Sequence, residues 1–145
     1  MRIGPGDVES YIDPRYIARG EAIAAGGGVV FADQRPEAVE GFCCGTRVYR
    51  TRLFRERGKL AGDCTCPAFA GFGPCKHIAA MARALEMQAC GTYQPAPWSL
   101  ERVESFVDLG AQLQQLSREQ LIGLILDLAE DETDLLERVT DLRGG

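Results

Sequence analysis

Residues 64–77 read Cys-Thr-Cys-Pro-Ala-Phe-Ala-Gly-Phe-Gly-Pro-Cys-Lys-His and place four metal-ligand side chains within fourteen positions. The four are Cys64, Cys66, Cys75 and His77, and His77 is the single histidine of the chain. Three thiolates and one imidazole form the ligand set of a closed, tetrahedral structural zinc site. Side chains two residues apart in a strand point to the same face, so Cys64 and Cys66 can bind one ion together. We therefore expect one structural zinc ion, held by these four side chains.

The second ligand pair follows a predicted turn at residues 71–74 and opens a predicted helix. The start of a helix favours negative charge, which helps to keep Cys75 as the thiolate that zinc requires. The helix then carries an apolar stripe with i, i+3, i+4, i+7 spacing, formed by Ile78, Met81, Ala82 and Leu85. The stripe predicts packing on a sheet, with the zinc at a strand–helix corner.

Three other interpretations of the cysteines were weighed. Cysteine often acts as a small buried hydrophobe, but that role does not explain a CxC pair followed by CxH. A disulfide between Cys64 and Cys66 is disfavoured, because Cα atoms two residues apart in an extended segment lie at or beyond its reach. A redox or nucleophilic cysteine would have His77 as its only imidazole base, and no signature of a known cysteine enzyme surrounds it.

Alternation upstream of the cluster predicts an antiparallel meander. Along residues 47–54 one face carries Tyr49, Thr51 and Leu53, and the other carries Val48, Arg50 and Arg52. The remaining predicted elements are a helix over 14–25 capped by Asp13, strands at 29–31, 38–43 and 59–65, and turns at 34–36 and 57–58. The last strand delivers the first two ligands. The predicted fold class is α+β: an antiparallel β-meander with flanking helices, a CxCx8CxH zinc site and a C-terminal helical region.

The stretch Cys64-Thr65-Cys66-Pro67…Cys75-Lys76-His77 resembles the SWIM zinc finger, whose pattern is CxC, a variable spacer and CxH. The resemblance extends upstream to residues 38–41 and to Tyr49, and it covers roughly residues 14 to 88. It implies a small βα zinc module that binds DNA or protein, of the type found in bacterial SWIM proteins. Such modules occur beside Swi/Snf-type helicase ATPases, in transposases, in recombination factors and with AAA ATPases, so a helicase-like or AAA ATPase is an expected class of protein partner.

The C-terminal third is predicted to be a separate helical region. We expect a SWIM-type zinc-binding domain over 1–90, a linker over 91–97 with two prolines, and an acidic helical region over 98–145. The predicted helices cover residues 98–116, 121–128 behind a capping box at 117–120, and 131–142. The middle helix is apolar on more than one side, which indicates burial either inside the chain or against a partner. The final residues, 142–145, match the tail of ubiquitin-like proteins, and we interpret this short match as chance.

Composition limits the class of protein. At 145 residues with 46% hydrophobic and 26% charged residues, the chain has globular values and no run of about 20 apolar residues that could span a membrane. Residues 1–6 carry no hydrophobic run after the charge, so no signal peptide is predicted. A zinc pattern without an export signal indicates a reducing cytoplasm. Three further thiols, Cys43, Cys44 and Cys90, are interpreted as packing residues.

Charge is distributed unevenly along the chain. Residues 1–90 contain twelve Lys and Arg against ten Asp and Glu, whereas residues 91–145 contain four against eleven. Basic residues near the cluster make a candidate nucleic-acid surface, consisting of Arg47, Arg50, Arg52, Arg55, Arg57, Lys59 and Lys76. The alternative is a solvated charged face, since arginines are common on exposed sheet surfaces.

These observations predict a non-catalytic zinc-binding module rather than an enzyme. Its expected role is a protein-interaction adaptor or DNA-binding component of a nucleic-acid-handling or ATPase-linked assembly, with no membrane and no small-molecule substrate. Two alternatives remain open: a cysteine-dependent redox or transfer enzyme, and a purely structural zinc domain of a larger complex subunit.

Overall fold

The computed structural model describes residues 1–131, 134–135 and 139–140 and contains four strands and six helices within them. In chain order these are α1 (Asp7–Tyr11), α2 (Pro14–Ala25), β1 (Val29–Gln34), β2 (Ala38–Cys44), β3 (Val48–Glu56), β4 (Lys59–Cys64), α3 (Pro67–Phe72), α4 (Lys76–Ala89), α5 (Pro97–Leu113) and α6 (Arg118–Asp131). The predicted α+β class is confirmed. No helix in the described part of the chain is long and apolar enough to cross a membrane.

The four strands form one antiparallel sheet in the order β1-β2-β3-β4, which is the predicted meander. The turn between β3 and β4 is made by Arg57 and Gly58, both with positive φ, at 51° and 78°. Two consecutive residues of positive φ match the right-handed twist of the flanking strands, which makes this a favoured hairpin connection. Thr51 and Leu53 are buried on one face of β3, and Arg50 and Arg52 are exposed on the other, as their alternation predicts.

Helix α4 lies between the sheet and helix α2, and it forms the centre of the core. Its side chains are buried nearly all round the helix, from His77 to Leu85 except for Arg83. The large residues Ile78 and Met81 are fully buried, and small alanines let the neighbouring backbone come close. A Cβ atom built on Gly20 of α2 would lie 2.5 Å from the Cβ of Ala79. The two helices therefore pack at a distance that only glycine permits at this position.

Two short helices were not predicted from the sequence. Helix α1 buries Val8 and is followed by the buried Ile12, while its Asp7 makes an ion pair with Arg55 of β3. Helix α3 occupies the segment between the two ligand pairs, where only a turn was expected. Elements of five or six residues are too short for an apolar periodicity to be read from the sequence.

The extra cysteines divide into two groups. Cys43 and Cys44 are both buried although they face opposite sides of β2, because the start of α5 covers the second side: the Cys44 thiol donates to the carbonyl of Ser99. Cys90 is exposed at the C-terminal end of α4, so its interpretation as a packing residue is wrong.

The chain forms two compact units, residues 1–106 and 107–145. In the first unit, two hydrogen bonds hold the start of α5. The Ala96 N–H, just before the helix, and the Ser99 hydroxyl, in its first turn, both donate to the carbonyl of Gly27. The proposed division at residues 91–97 stays a prediction. In the second unit, the capping box at the start of α6 is present, since the Ser117 N–H donates to the Gln120 side chain and the Gln120 N–H donates to the Ser117 hydroxyl.

Two predictions for the second unit fall outside the described residues. Most of the predicted last helix over 131–142, and the whole tail at 142–145, lie among residues 132–133, 136–138 and 141–145. Among the described residues, five large apolar side chains of α6 are exposed, and Leu121 and Ala129 are half-buried.

We expect Gly20→Ala to destabilise the first unit by about 1–3 kcal/mol, because the added methyl group must displace the backbone of α4. Thermal and urea unfolding of the zinc-loaded chain measures the effect. Gly71→Ala in α3 is the matched control, since nothing lies within 4 Å of a Cβ atom there. Equal unfolding midpoints for the two variants would show that α2 and α4 can separate at little cost.

Candidate metal centre

The four predicted ligand residues lie where one strand and two helices begin or end. Cys64 is the last residue of β4, and Cys66 follows in extended conformation as the N-cap of α3. Cys75 is the N-cap of α4, and His77 is the second residue of that helix. The site therefore joins the edge of the sheet to the N-terminal ends of both helices.

The cluster is compact and closed to solvent. One ligand atom from each of Cys64, Cys66, Cys75 and His77 lies within 4.8 Å of the others, and all four residues are at most 9% exposed. The thiols of Cys64 and Cys75 lie 3.7 and 3.8 Å from the Nδ1 atom of His77. Ligands at about 2.0–2.3 Å from one zinc ion are separated by distances of this size. The arrangement can hold one zinc ion with all four tetrahedral positions filled by protein.

The two nitrogens of His77 differ in their surroundings. Nδ1 faces the thiols, whereas Nε2 is buried and has no hydrogen-bond partner among the described residues. A metal at the cluster would be bound by Nδ1, which leaves the proton of the neutral imidazole on Nε2. The donor set and the orientation of the ring fit a zinc ion, whose chemistry here is to cross-link its ligands.

The pKa values of the three thiols in the cluster are shifted in different directions. The pKa of the Cys75 thiol is lowered to about 4, chiefly because the Cys64 thiol donates a hydrogen bond to it, with further contributions from His77 and the backbone N–H of Ile78. Correspondingly, the pKa of Cys64 is raised, because it is the donor to Cys75 and is buried. Burial raises the pKa of Cys66. The lowered pKa favours the thiolate at Cys75, and a divalent cation would offset the cost of ionising the other two thiols.

Three neighbours of the cluster were missed in the sequence. The Tyr49 ring packs on the His77 ring with centroids 4.7 Å apart, the Thr51 hydroxyl lies 3.6 Å from the Cys64 sulfur, and the Cys43 thiol donates to the His77 carbonyl. The position of Thr51 beside Cys64 could have been predicted from the length of the β3–β4 turn. A two-residue turn at 57–58 pairs Glu56 with Lys59 and, counting back along both strands, pairs Thr51 with Cys64.

The seven basic residues of the candidate nucleic-acid surface do not form one patch. Arg50 and Arg52 lie exposed on the outer face of the sheet, with Arg47 in the β2–β3 turn. Exposed Arg57 and Lys59 lie at the opposite end of β3, in and just after the β3–β4 turn. The other two differ: Arg55 makes an ion pair with Asp7 against α1, and Lys76 is half-buried beside the cluster.

The outer face of the sheet alternates arginine with aromatic rings. The Arg50 guanidinium lies 6.0 Å from the centre of the Phe42 ring, and that of Arg52 lies 5.0 Å from the centre of the Phe54 ring. Arg52 is also paired with Glu40 across the strands at 3.2 Å. The face combines positive charge with half-buried rings, but part of the charge is neutralised locally.

Comparison with known proteins found one family. Residues 49–86 match the model of the SWIM zinc finger, from Tyr49 on β3 to Glu86 in α4, so the match includes all four residues of the cluster. The SWIM resemblance is therefore confirmed for this segment of the chain. SWIM zinc fingers are zinc-binding modules that often take part in protein or DNA interaction. No curated protein and no solved structure matches the chain.

We expect one zinc ion per chain, and we expect Cys75→Ser or a strong chelator to unfold residues 59–85. Apparent binding energies of structural zinc, roughly 10–16 kcal/mol in finger peptides, equal or exceed the stability of a small domain. Elemental analysis gives the stoichiometry, and circular dichroism with thermal unfolding gives the structural effect.

The matched control is Cys90→Ser, which removes an exposed thiol away from the cluster. It is expected to keep both the zinc and the unfolding temperature. Retained ellipticity and an unchanged unfolding temperature after verified zinc removal would contradict the structural role of the metal.

Proposed function

We propose that this chain is a non-catalytic zinc-binding module that acts as a protein-interaction adaptor or DNA-binding component of a nucleic-acid-handling or ATPase-linked assembly. In this proposal Cys64, Cys66, Cys75 and His77 are the zinc ligands. The observation that carries it is the closure of the cluster: four buried protein ligands leave no coordination position for a substrate or an activated water. A closed site holds the surrounding surfaces in place, so the function must lie on those surfaces.

The remaining thiols support a non-catalytic role over a cysteine enzyme. Burial raises the pKa of Cys43 to about 12 and also raises that of Cys44, which is the opposite of what a nucleophile needs. Cys90 is exposed, but the single imidazole of the chain belongs to the cluster and cannot serve it as a base. We place the module in the cytoplasm, because three of its six cysteines are proposed zinc ligands and none of the six forms a disulfide, which fits a reducing compartment.

The outer sheet face supports a nucleic-acid role for the first unit. Arginines on an exposed strand can neutralise phosphates, and the Phe54 ring beside Arg52 can stack on a base, whereas the Phe42 ring packs edge-on with Phe106. Tyr49 is not available for such stacking, because its ring packs on His77. Arg55 is likewise engaged by Asp7, which leaves Arg47, Arg50 and Arg52 as the principal candidates on this side. An exposed, solvated charged face is the competing interpretation.

We expect Arg50→Glu/Arg52→Glu to weaken binding of single- or double-stranded DNA by about ten-fold or more at low salt, because it reverses two charges on one face. Electrophoretic mobility shifts across a salt series measure the affinity and its salt slope. Arg19→Glu/Arg118→Glu is the matched control, since it makes the same change in net charge at exposed helix residues that are not part of the sheet.

If both variants bind DNA like the parent chain at every salt concentration, the sheet face is a solvated surface. The adaptor role then remains as the proposed function.

A further inference from the structure

Helix α6 presents a wide apolar surface to solvent. Its apolar side chains occupy an arc of about 200° around the helix axis, at 100° per residue. Five of them are 40–63% exposed in the described structure: Ile122, Leu124, Ile125, Leu126 and Leu128. Soluble monomers seldom leave so many large apolar side chains together in water, and such patches mark interaction surfaces.

The N-terminus of helix α6 is stabilised by contacts within the helix itself. The capping box of Ser117 and Gln120 satisfies two backbone N–H groups at its start, at 2.8 and 3.1 Å. With 14 residues, α6 is about 21 Å long, and a helix of this length is marginal on its own in water. Burial of its apolar arc would therefore contribute to its stability as well as to binding.

The charge around α6 selects among possible occupants. At 100° per residue, Glu119 and Glu130 border the apolar arc beside Leu126, whereas Asp127 lies on the opposite side of the helix; all three side chains are exposed. Residues 107–145 contain nine Asp and Glu against three Lys and Arg, a net charge of −6. A second copy of this unit, a nucleic acid and an anionic lipid surface would all bring negative charge to it, and each is disfavoured on that ground.

We infer that the apolar arc of α6 is the docking surface for a basic amphipathic helix of a partner protein. Side-by-side packing of two helices buries an i, i+3, i+4, i+7 stripe on each, and lysines or arginines along one flank of the partner's stripe would lie beside Glu119 and Glu130. The inference rests on the proposed adaptor function and names the chemistry of its partner.

The test uses the zinc-loaded full chain and three synthetic peptides of about 18 residues, long enough to span α6. The first carries leucines at i, i+3, i+4, i+7 spacing and lysines at the flanking positions. The second has glutamates in place of the lysines, and the third has the first peptide's composition with its leucines out of register. Fluorescence anisotropy is expected to give the first peptide an affinity at least about ten-fold above either of the others.

Two variants separate the apolar and the charged contributions. Leu124→Gln/Leu128→Gln is expected to lower the affinity for the lysine peptide at least about ten-fold, while Gly123→Ala on the polar side, where nothing lies within 4 Å of a Cβ atom, keeps it. Because the double leucine variant can also weaken the helix, Glu119→Lys/Glu130→Lys is the second test. It keeps the apolar arc and is expected to abolish the preference for lysine over glutamate.

Equal affinity for the lysine and glutamate peptides, or binding of none of the three, overturns the inference. So does a dimer in sedimentation that Leu124→Gln/Leu128→Gln converts to monomer, since a second copy then covers the arc. Zinc content is measured on the same samples. A chain that binds the lysine peptide without holding zinc contradicts the proposed zinc-module function and leaves this inference standing.

Discussion

The contact among three thiols and one imidazole at the junction of β4, α3 and α4 is the constraint on which the first unit depends. It brings the last strand of the sheet to the first turn of the central helix, and that helix separates the sheet from α2. Its ligands come from two short segments that are separated by only eight residues in sequence, so the contacts at this junction are local in sequence. A metal there would cross-link the two layers of the core at a single point.

The closed centre also explains how the surface is organised. The metal site takes up the single histidine and three of the six cysteines. Outside it, arginines alternate with aromatic rings on the sheet, and apolar side chains of α6 are bordered at one edge by carboxylates. The two surfaces therefore differ in the sign of their charge.

Much of the fold could be predicted because its signals are local. Asp13 caps α2 as expected, its carboxylate accepting from the Arg15 N–H, and the alternation through Tyr49, Thr51 and Leu53 identified the core face of β3. The four cluster residues were found by ligand type and spacing alone. Features that depend on contacts between residues far apart in sequence were not predicted. Helix α1 contacts β3 through the ion pair of Asp7 with Arg55, and a run of basic residues in the sequence does not reveal that Arg55 is paired in this way.

Helix α3 has a further consequence for the tolerance of this site to changes in length. Phe69 packs against the core, but Ala70, Gly71 and Phe72 at the end of the helix are exposed, so the core does not depend on the shape of this end. The entropy of closing a loop grows slowly, by about 0.6 kcal/mol for each doubling of its length. The segment from Ala70 to Phe72 is therefore a natural place to insert additional chain, such as a reporter peptide or a second recognition element, while the strand and helix on either side keep their positions.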